Sequence, residues 1–188
     1  AIVIAFLLFP LWWAAWSRFT GFLPYLFGFF VIVLTVALVH GESEPSISLS
    51  MHYNRWAWAI TFIAIAIAAL PNQGTARPLL EGVILGAAMA ALVMMKATYF
   101  AAFALPLAIA LVLRGAVKTL VIAVLTGVAI AGLITAFAGV EFWQAYFGDL
   151  LFVAQSEIRA APSGSLKDVI AAPAHVGGSL LLVLGVIL

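Results

Sequence analysis

The sequence contains no cysteine and few charged residues, and each shortage excludes particular sites or partners. Without cysteine there is no disulfide framework, no thiolate metal ligand and no cysteine nucleophile. Charged residues make up only 8% of the chain, the net charge is +1 and no basic run occurs, so we expect no nucleic-acid partner. No Walker loop, dinucleotide-binding fingerprint or Ser/His/Asp arrangement is present. His40, His52 and His175 lack metal-ligand spacing, so we expect no metal and no cofactor.

Apolar residues are what the sequence has in excess. They make up 66% of the 188 residues, and the mean hydropathy is +1.25, which predicts an integral membrane protein. We expect an all-α fold, a polytopic transmembrane helical bundle of about seven spans plus one interfacial amphipathic helix, in a single transmembrane domain over residues 1–188. Because the chain starts without methionine inside one apolar run and ends in another, we expect an excerpt of a longer polytopic protein. The predicted spans are 1–16, 22–39, 56–70, 79–95, 97–113, 119–137 and a last one from residue 176.

The stretch 79–113 is the most informative part of the chain. As one helix it would be roughly 50 Å long, which is too long for a single crossing of a ~30 Å hydrocarbon core. Lys96 divides it into two mostly apolar runs, which predicts two short crossings joined at this lysine, with the ammonium at a membrane face. Gly82 and Gly86 form a G-x-x-x-G pattern in the first run, which permits close packing against another helix.

Residues 140–175 do not have the pattern of the predicted spans. They are predicted to form a loop at the outer face that contains an interfacial helix. The segment EFWQAYFGDLLFVAQ has the pattern of a helix lying in the interface plane. Its large apolar side chains fall on one helical face: Trp143, Tyr146, Phe147, Leu150 and Leu151.

The charges predict which ends of the spans face the cytoplasm. One side collects four basic residues and a single acidic one: Arg18, Arg77, Arg114 and Lys118 with Glu81. The other side has as many basic residues, but two of them lie far from any span and count for less in the positive-inside rule. The first side is therefore expected to be cytoplasmic, with Glu81 facing water near the end of its span, and the second to be the outer face.

Two groups of residues are candidates for binding an anion. The first stands at the mouth of a span, where an anionic head group would meet several donors: His52, Tyr53, Asn54 and Arg55. In the second, Lys96 offers a compact positive charge to a phosphate, with Tyr99 close behind it. Ordinary anchoring by snorkelling cations and interfacial aromatic side chains is the alternative for both groups. The binding interpretation rests on the prediction that both lie at the outer face with no adjoining carboxylate.

The residues 51–121 carry a resemblance to a known family. The pattern EGVILGAAMAALVMMKATYFAAFALPLAIALVLRGAVKTLV resembles the repeating core of GT-C superfamily glycosyltransferases, which depend on polyprenyl-phosphate sugars, and HYNRW is similar to loops in bacterial members. The resemblance implies a multi-span bundle with its active site at the outer face. It matches Lys96 to a phosphate-facing lysine and leaves His52, Tyr53 and Arg55 as neighbours without defined roles. The family's catalytic carboxylate typically lies in a first outer loop, which we expect this excerpt to lack, so no catalytic residue is assigned.

Three functions follow as hypotheses. The first is a membrane glycosyltransferase, or a segment of one, that takes a sugar from a polyprenyl-phosphate donor at the outer face of a bacterial inner membrane. The alternative is a non-catalytic integral membrane subunit that packs against membrane protein partners in a larger complex. The third is a transporter or lipid flippase, which the near absence of ionisable residues within the spans disfavours. In each case membrane lipid is an expected partner.

Overall fold

A computed structural model describes residues 2–36 and 49–155, where helices account for almost every residue. The predicted all-α class is confirmed for these ranges. The predicted span from residue 176, and the part of the predicted outer loop beyond residue 155, lie outside them. In chain order the helices are α1 (Ile2–Arg18), α2 (Leu23–Val36), α3 (Leu49–Ala69), α4 (Pro78–Leu113), α5 (Val117–Ala138) and α6 (Val140–Gln155).

Two of the described helices, α4 and α5, are long and apolar enough to cross a membrane, judged by length and composition. About seven spans were expected, and the described helices do not reach that number. A crossing needs about 20 predominantly apolar residues, whereas α1 has 17 residues and α2 has 14. α3 is longer, but its first two turns contain the polar HYNR segment.

α4 is interrupted at Lys96, as the sequence predicted. This residue has φ −158° and ψ 86°, far from helical values, inside an otherwise helical segment. Both ends of α4 lie close to one backbone carbonyl, that of Ile67, the start through Arg18 and the end through Arg114. Near the start, Glu81 lies 2.8 Å from Arg18, which donates to the Ile67 oxygen at 3.2 Å. At the end, Arg114 donates to that oxygen at 2.7 Å. Because a continuous helix would hold these ends roughly 50 Å apart, α4 doubles back at the lysine.

The helical segments before α6 alternate in direction between two ends of a bundle. We call the end that contains Asn54 and Lys96 the lysine end, and the end that contains Arg18, Glu81 and Arg114 the arginine end. α1 finishes at the arginine end, α2 returns to the lysine end, and α3 runs back. The two halves of α4 and then α5 continue this up-and-down course.

α3 lies at the centre of the bundle and supplies much of its buried surface. The alanines on this helix have small side chains, so neighbouring helices can approach closely. Its buried apolar residues are Ala57, Ala59, Ile60, Ile63, Ala64, Ala66, Ile67 and Ala68. Ile84, Leu85, Leu107 and Leu111 pack into the same core from both halves of α4, which confirms that α4 is a hairpin.

Local sequence explains the turns at the arginine end. Pro78 occupies the first turn of α4, where its missing N–H costs no helical hydrogen bond. At the end of α4, Gly115 has φ +71°, a conformation that suits glycine, and the Ala116 N–H donates to the Leu111 carbonyl at 2.8 Å in a Schellman-type cap. In the α3–α4 connection, the Asn72 side chain accepts a hydrogen bond from the Gly74 N–H at 3.3 Å.

The G-x-x-x-G pattern of α4 packs against α5, as the sequence predicted. A Cβ added at Gly82 would lie 2.6 Å from the Cβ of Ile122 and 2.9 Å from the Thr119 carbonyl oxygen. A Cβ at Gly86 would lie 2.6 Å from the Cβ of Thr126. Since both sets of neighbours advance together along the chain, the first half of α4 and α5 run parallel.

Replacing Gly86 with alanine is therefore expected to destabilise the bundle by about 1–3 kcal/mol, because the added methyl group overpacks a contact that includes the Ala123 backbone. Thermal unfolding of the purified protein in detergent measures the effect. Gly132→Ala is the matched control, since nothing lies within 4 Å of a Cβ at that position of α5. If both variants unfold at the same temperature, the close packing is not important for stability.

The chain divides into two compact units, Ala1–Phe137 and Ala138–Leu188. The described part of the second unit consists of α6 and the two residues before it. The predicted helix is confirmed, and its aromatic side chains contact one another along its length. Trp143 stacks on Phe147 with ring centroids 6.2 Å apart, and Phe142, which the predicted apolar face did not include, stacks on Tyr146 at 6.3 Å. Whether α6 lies in a membrane interface stays a prediction.

Candidate functional site

Lys96 and Asn54 meet at the lysine end. The Lys96 Nζ donates a hydrogen bond to the Asn54 Oδ1, although 42 positions separate them in the chain. Asn54 lies in the second turn of α3, and antiparallel packing of α3 on the first half of α4 brings that turn to the break at Lys96. Among the described residues no carboxylate lies within ion-pair distance of this ammonium. The two predicted groups are thus brought together through this pair.

The other residues of the HYNR segment lie around Trp56 on α3. The rings of His52 and Tyr53 each lie 5.9 Å from the Trp56 ring, and Arg55 is half-buried. Trp56 in turn donates from its Nε1 to the Thr35 carbonyl at 3.2 Å, which ties the start of α3 to the end of α2. These contacts hold the segment in place. A role in binding substrate stays a prediction for His52, Tyr53 and Arg55.

Tyr99 belongs to an aromatic wall that begins one turn from Lys96. Its ring meets Trp58 edge-on at 5.2 Å and stacks on Phe103 at 6.4 Å. Trp58 also stacks on Phe62 at 5.5 Å, and Phe62 meets Phe30 at 5.0 Å. Tyr99 and Phe103 are four residues apart, a helical spacing that could have revealed part of this wall in the sequence. The remaining members come from α2 and α3, so only the tertiary structure joins them.

The lysine end thus combines a positive charge with an apolar surface. The hydrogen bond to Asn54 orients the Lys96 ammonium. Its remaining N–H groups can donate to a phosphate oxygen. The aromatic wall leads from it along the bundle and leaves Trp58 39% exposed. Such an arrangement suits a ligand with an anionic head and an apolar tail.

The arginine end contains a buried ion pair that the sequence analysis missed. Glu81 was expected to face water, and this is wrong: it is 2% exposed and lies 2.8 Å from the Nη2 of Arg18, which is 3% exposed. Asn72 donates to the other carboxylate oxygen at 2.8 Å. Burial follows because the hairpin of α4 and the ends of α1 and α3 converge on this carboxylate. No spacing in the sequence indicates the pair, since its members lie in α1 and α4.

Arg114 completes the cluster without a carboxylate of its own. Its Nη1 donates to two carbonyls at the C-terminal end of α3, those of Ile67 at 2.7 Å and Ala68 at 2.8 Å. Burial is the main cause that lowers the pKa of Arg114; the charge of Arg18 lowers it further and the Glu81 carboxylate opposes both. Arg77 lies over the Trp13 ring, 5.3 Å from its centroid. The predicted grouping of Arg18, Arg77, Arg114 and Glu81 at one end is confirmed.

No protein-family model, curated protein or solved structure matches this chain. The geometry of its two polar ends is therefore what supports any assignment of function.

Proposed function

We propose that this chain is a membrane glycosyltransferase, or a segment of one, that takes a sugar from a polyprenyl-phosphate donor at the lysine end. The observation that carries the proposal is the position of Lys96, a cation at a break between two helical halves, hydrogen-bonded to Asn54 and placed beside an aromatic wall. A phosphate would bind the ammonium, and the apolar wall would border the lipid. On this proposal the lysine end lies at the outer face of a multi-pass protein in a bacterial inner membrane, and the collection of basic residues at the arginine end supports that orientation.

In the proposed reaction an acceptor hydroxyl attacks the anomeric carbon of the sugar. The bond between that carbon and the phosphate oxygen breaks, and the polyprenyl phosphate leaves with an added negative charge. Lys96 stabilises this charge as it develops, and Asn54 positions the ammonium. The acceptor proton passes to a general base. We assign the role of base to no residue of this chain.

Binding of a polyprenyl phosphate to the purified protein tests the proposal directly. We expect Lys96→Gln to weaken binding at least tenfold, about 1.4 kcal/mol, because it removes the charge that pairs with the phosphate. Lys118→Gln is the matched control, since this exposed lysine lies at the arginine end. Equal affinities of the Lys96 variant and the unmodified protein would contradict the assignment.

A second candidate is a non-catalytic subunit of a larger membrane complex. The observation that favours it is the exposed apolar surface of α5, which includes Val121, Val124, Leu125, Val128 and Leu133. On this hypothesis the bond between Lys96 and Asn54 only ties the break in α4 to α3. Lys96→Gln would then lower the thermal stability of the protein while leaving any lipid binding unchanged, the opposite of the result expected for the transferase.

A further inference from the structure

Several buried hydrogen-bond donors at the arginine end have no partner among the described residues. Arg18 is fully buried, yet only its Nη2 is used, and its Nε and Nη1 make no hydrogen bond. The Ser17 Oγ and the Trp13 Nε1 are also buried and unpaired. Trp13 and Ser17 stand one turn apart on the same face of α1, and Arg18 follows directly. An unpaired buried donor is rare in folded proteins because it has lost water without gaining a partner.

The acceptors of this end are already occupied. Glu81 accepts from Arg18 through one oxygen and from Asn72 through the other. The Ile67 carbonyl accepts from both Arg18 and Arg114, and the Ser17 carbonyl accepts from the Gln73 N–H at 2.8 Å. Glu81 is the one described carboxylate at this end, where Arg18, Arg77 and Arg114 all lie. The cluster therefore has a surplus of both positive charge and hydrogen-bond donors.

We propose that the cluster of Trp13, Ser17 and Arg18 is a binding site for a phosphate oxyanion. The Nε–H and the Nη1–H groups of Arg18 are not used by the described residues, and either nitrogen can donate to a phosphate oxygen. The hydroxyl of Ser17 and the indole N–H of Trp13 supply further donors. An added negative charge offsets the surplus of Arg18, Arg77 and Arg114, which no other described carboxylate does.

The phosphate enters by displacing the connection between α3 and α4. Residues 73–77 are exposed, and two of them, Gln73 and Arg77, contact α1 next to these donors. The Gln73 side chain donates to the Arg18 carbonyl at a long 3.4 Å, and the Arg77 guanidinium lies over the ring of Trp13. The site lies where helices end, the level at which the phosphates of membrane lipids are found. The phosphate has two available sources, the head group of an anionic lipid and inorganic phosphate.

Thermal unfolding with added ligand tests the site, because a ligand that binds only the folded state raises the unfolding temperature. One arm adds inorganic phosphate to the protein in detergent, with chloride at equal ionic strength as reference. The other compares nanodiscs of phosphatidylcholine with nanodiscs that also contain phosphatidylglycerol. We expect stabilisation in one arm, and apparent affinity reduced roughly tenfold in Trp13→Phe and in Ser17→Ala, since each loses one donor to an anion.

Trp16→Phe is the matched control, because Trp16 is half exposed and packs edge-on against Tyr25 at 5.3 Å, away from the unpaired donors. Stabilisation by inorganic phosphate identifies a free anion as the ligand, and stabilisation only by phosphatidylglycerol identifies a lipid head group. If neither exceeds its reference, or if Ser17→Ala and Trp13→Phe respond like Trp16→Phe, the proposal is overturned and water completes the site. The result is independent of whether Lys96 binds a polyprenyl phosphate.

Discussion

Glu81→Gln is expected to lower the free energy of unfolding by about 3–5 kcal/mol, because it leaves a buried arginine without its counter-charge. Glutamine keeps the size of the side chain and can still contact Asn72, so the loss reports on charge rather than on packing. The carboxylate also connects α1 to α4 through Arg18, where both side chains are almost completely buried. Denaturation of the purified protein in detergent measures the change.

A double variant distinguishes the stability contributed by the ion pair from the cost of leaving one buried charge without its partner. Replacing the pair by apolar residues, Arg18→Met with Glu81→Leu, removes both charges and is expected to cost less than Glu81→Gln alone, since no uncompensated charge remains. Lys118→Gln, an exposed charge at the same end, is expected to change stability by less than about 0.5 kcal/mol. If Glu81→Gln is as mild as Lys118→Gln, the ion pair is not what holds α1 against the start of α4.

Lys96→Ala is expected to reduce sugar transfer by the full-length protein by about 10²–10³-fold, on the proposal that its ammonium stabilises the departing phosphate. Most of the loss should appear in kcat, because the charge on the phosphate grows as the bond to the sugar breaks. Turnover of a polyprenyl-phosphate sugar measures it. Lys96→Arg keeps the charge and is expected to retain part of the activity.

Two controls distinguish this role from a structural one. Lys118→Ala, at the other end of the bundle, should leave turnover unchanged. Asn54→Leu removes the acceptor that positions Lys96 and should reduce turnover less than Lys96→Ala does, because the charge is still present. A Lys96→Ala variant that unfolds like the unmodified protein and transfers sugar at the same rate would rule out the proposed reaction.

The hairpin at Lys96 could be predicted from the sequence alone. Its length exceeded what one membrane crossing allows, and a lysine stood in the middle of two apolar runs, so a break at that residue was predictable. The close contact of Gly82 and Gly86 with α5 was predictable for a similar reason, because two missing side chains one turn apart leave a groove for a neighbouring helix. Both are local signals that act at fixed spacing along one helix.

The number of membrane-spanning helices and the environment of Glu81 were not predictable in this way. Apolar runs of borderline length predict spans whether or not they form helices long enough to cross, as α1 and α2 illustrate. For Glu81, nearness to a predicted span end suggested contact with water. The opposite holds because Arg18 and Asn72, from two other parts of the chain, close over the carboxylate.

The sequence by itself determined the helical class, the break at Lys96 and the accumulation of positive charge at one end, since each depends on composition or on the order of nearby residues. Only the tertiary structure decided which side chains meet: Lys96 with Asn54, Tyr99 with Trp58, and Glu81 with Arg18. The physical reason is that these pairs join different helices. Their contacts depend on how apolar faces pack and on the direction in which each helix runs, which no local pattern specifies.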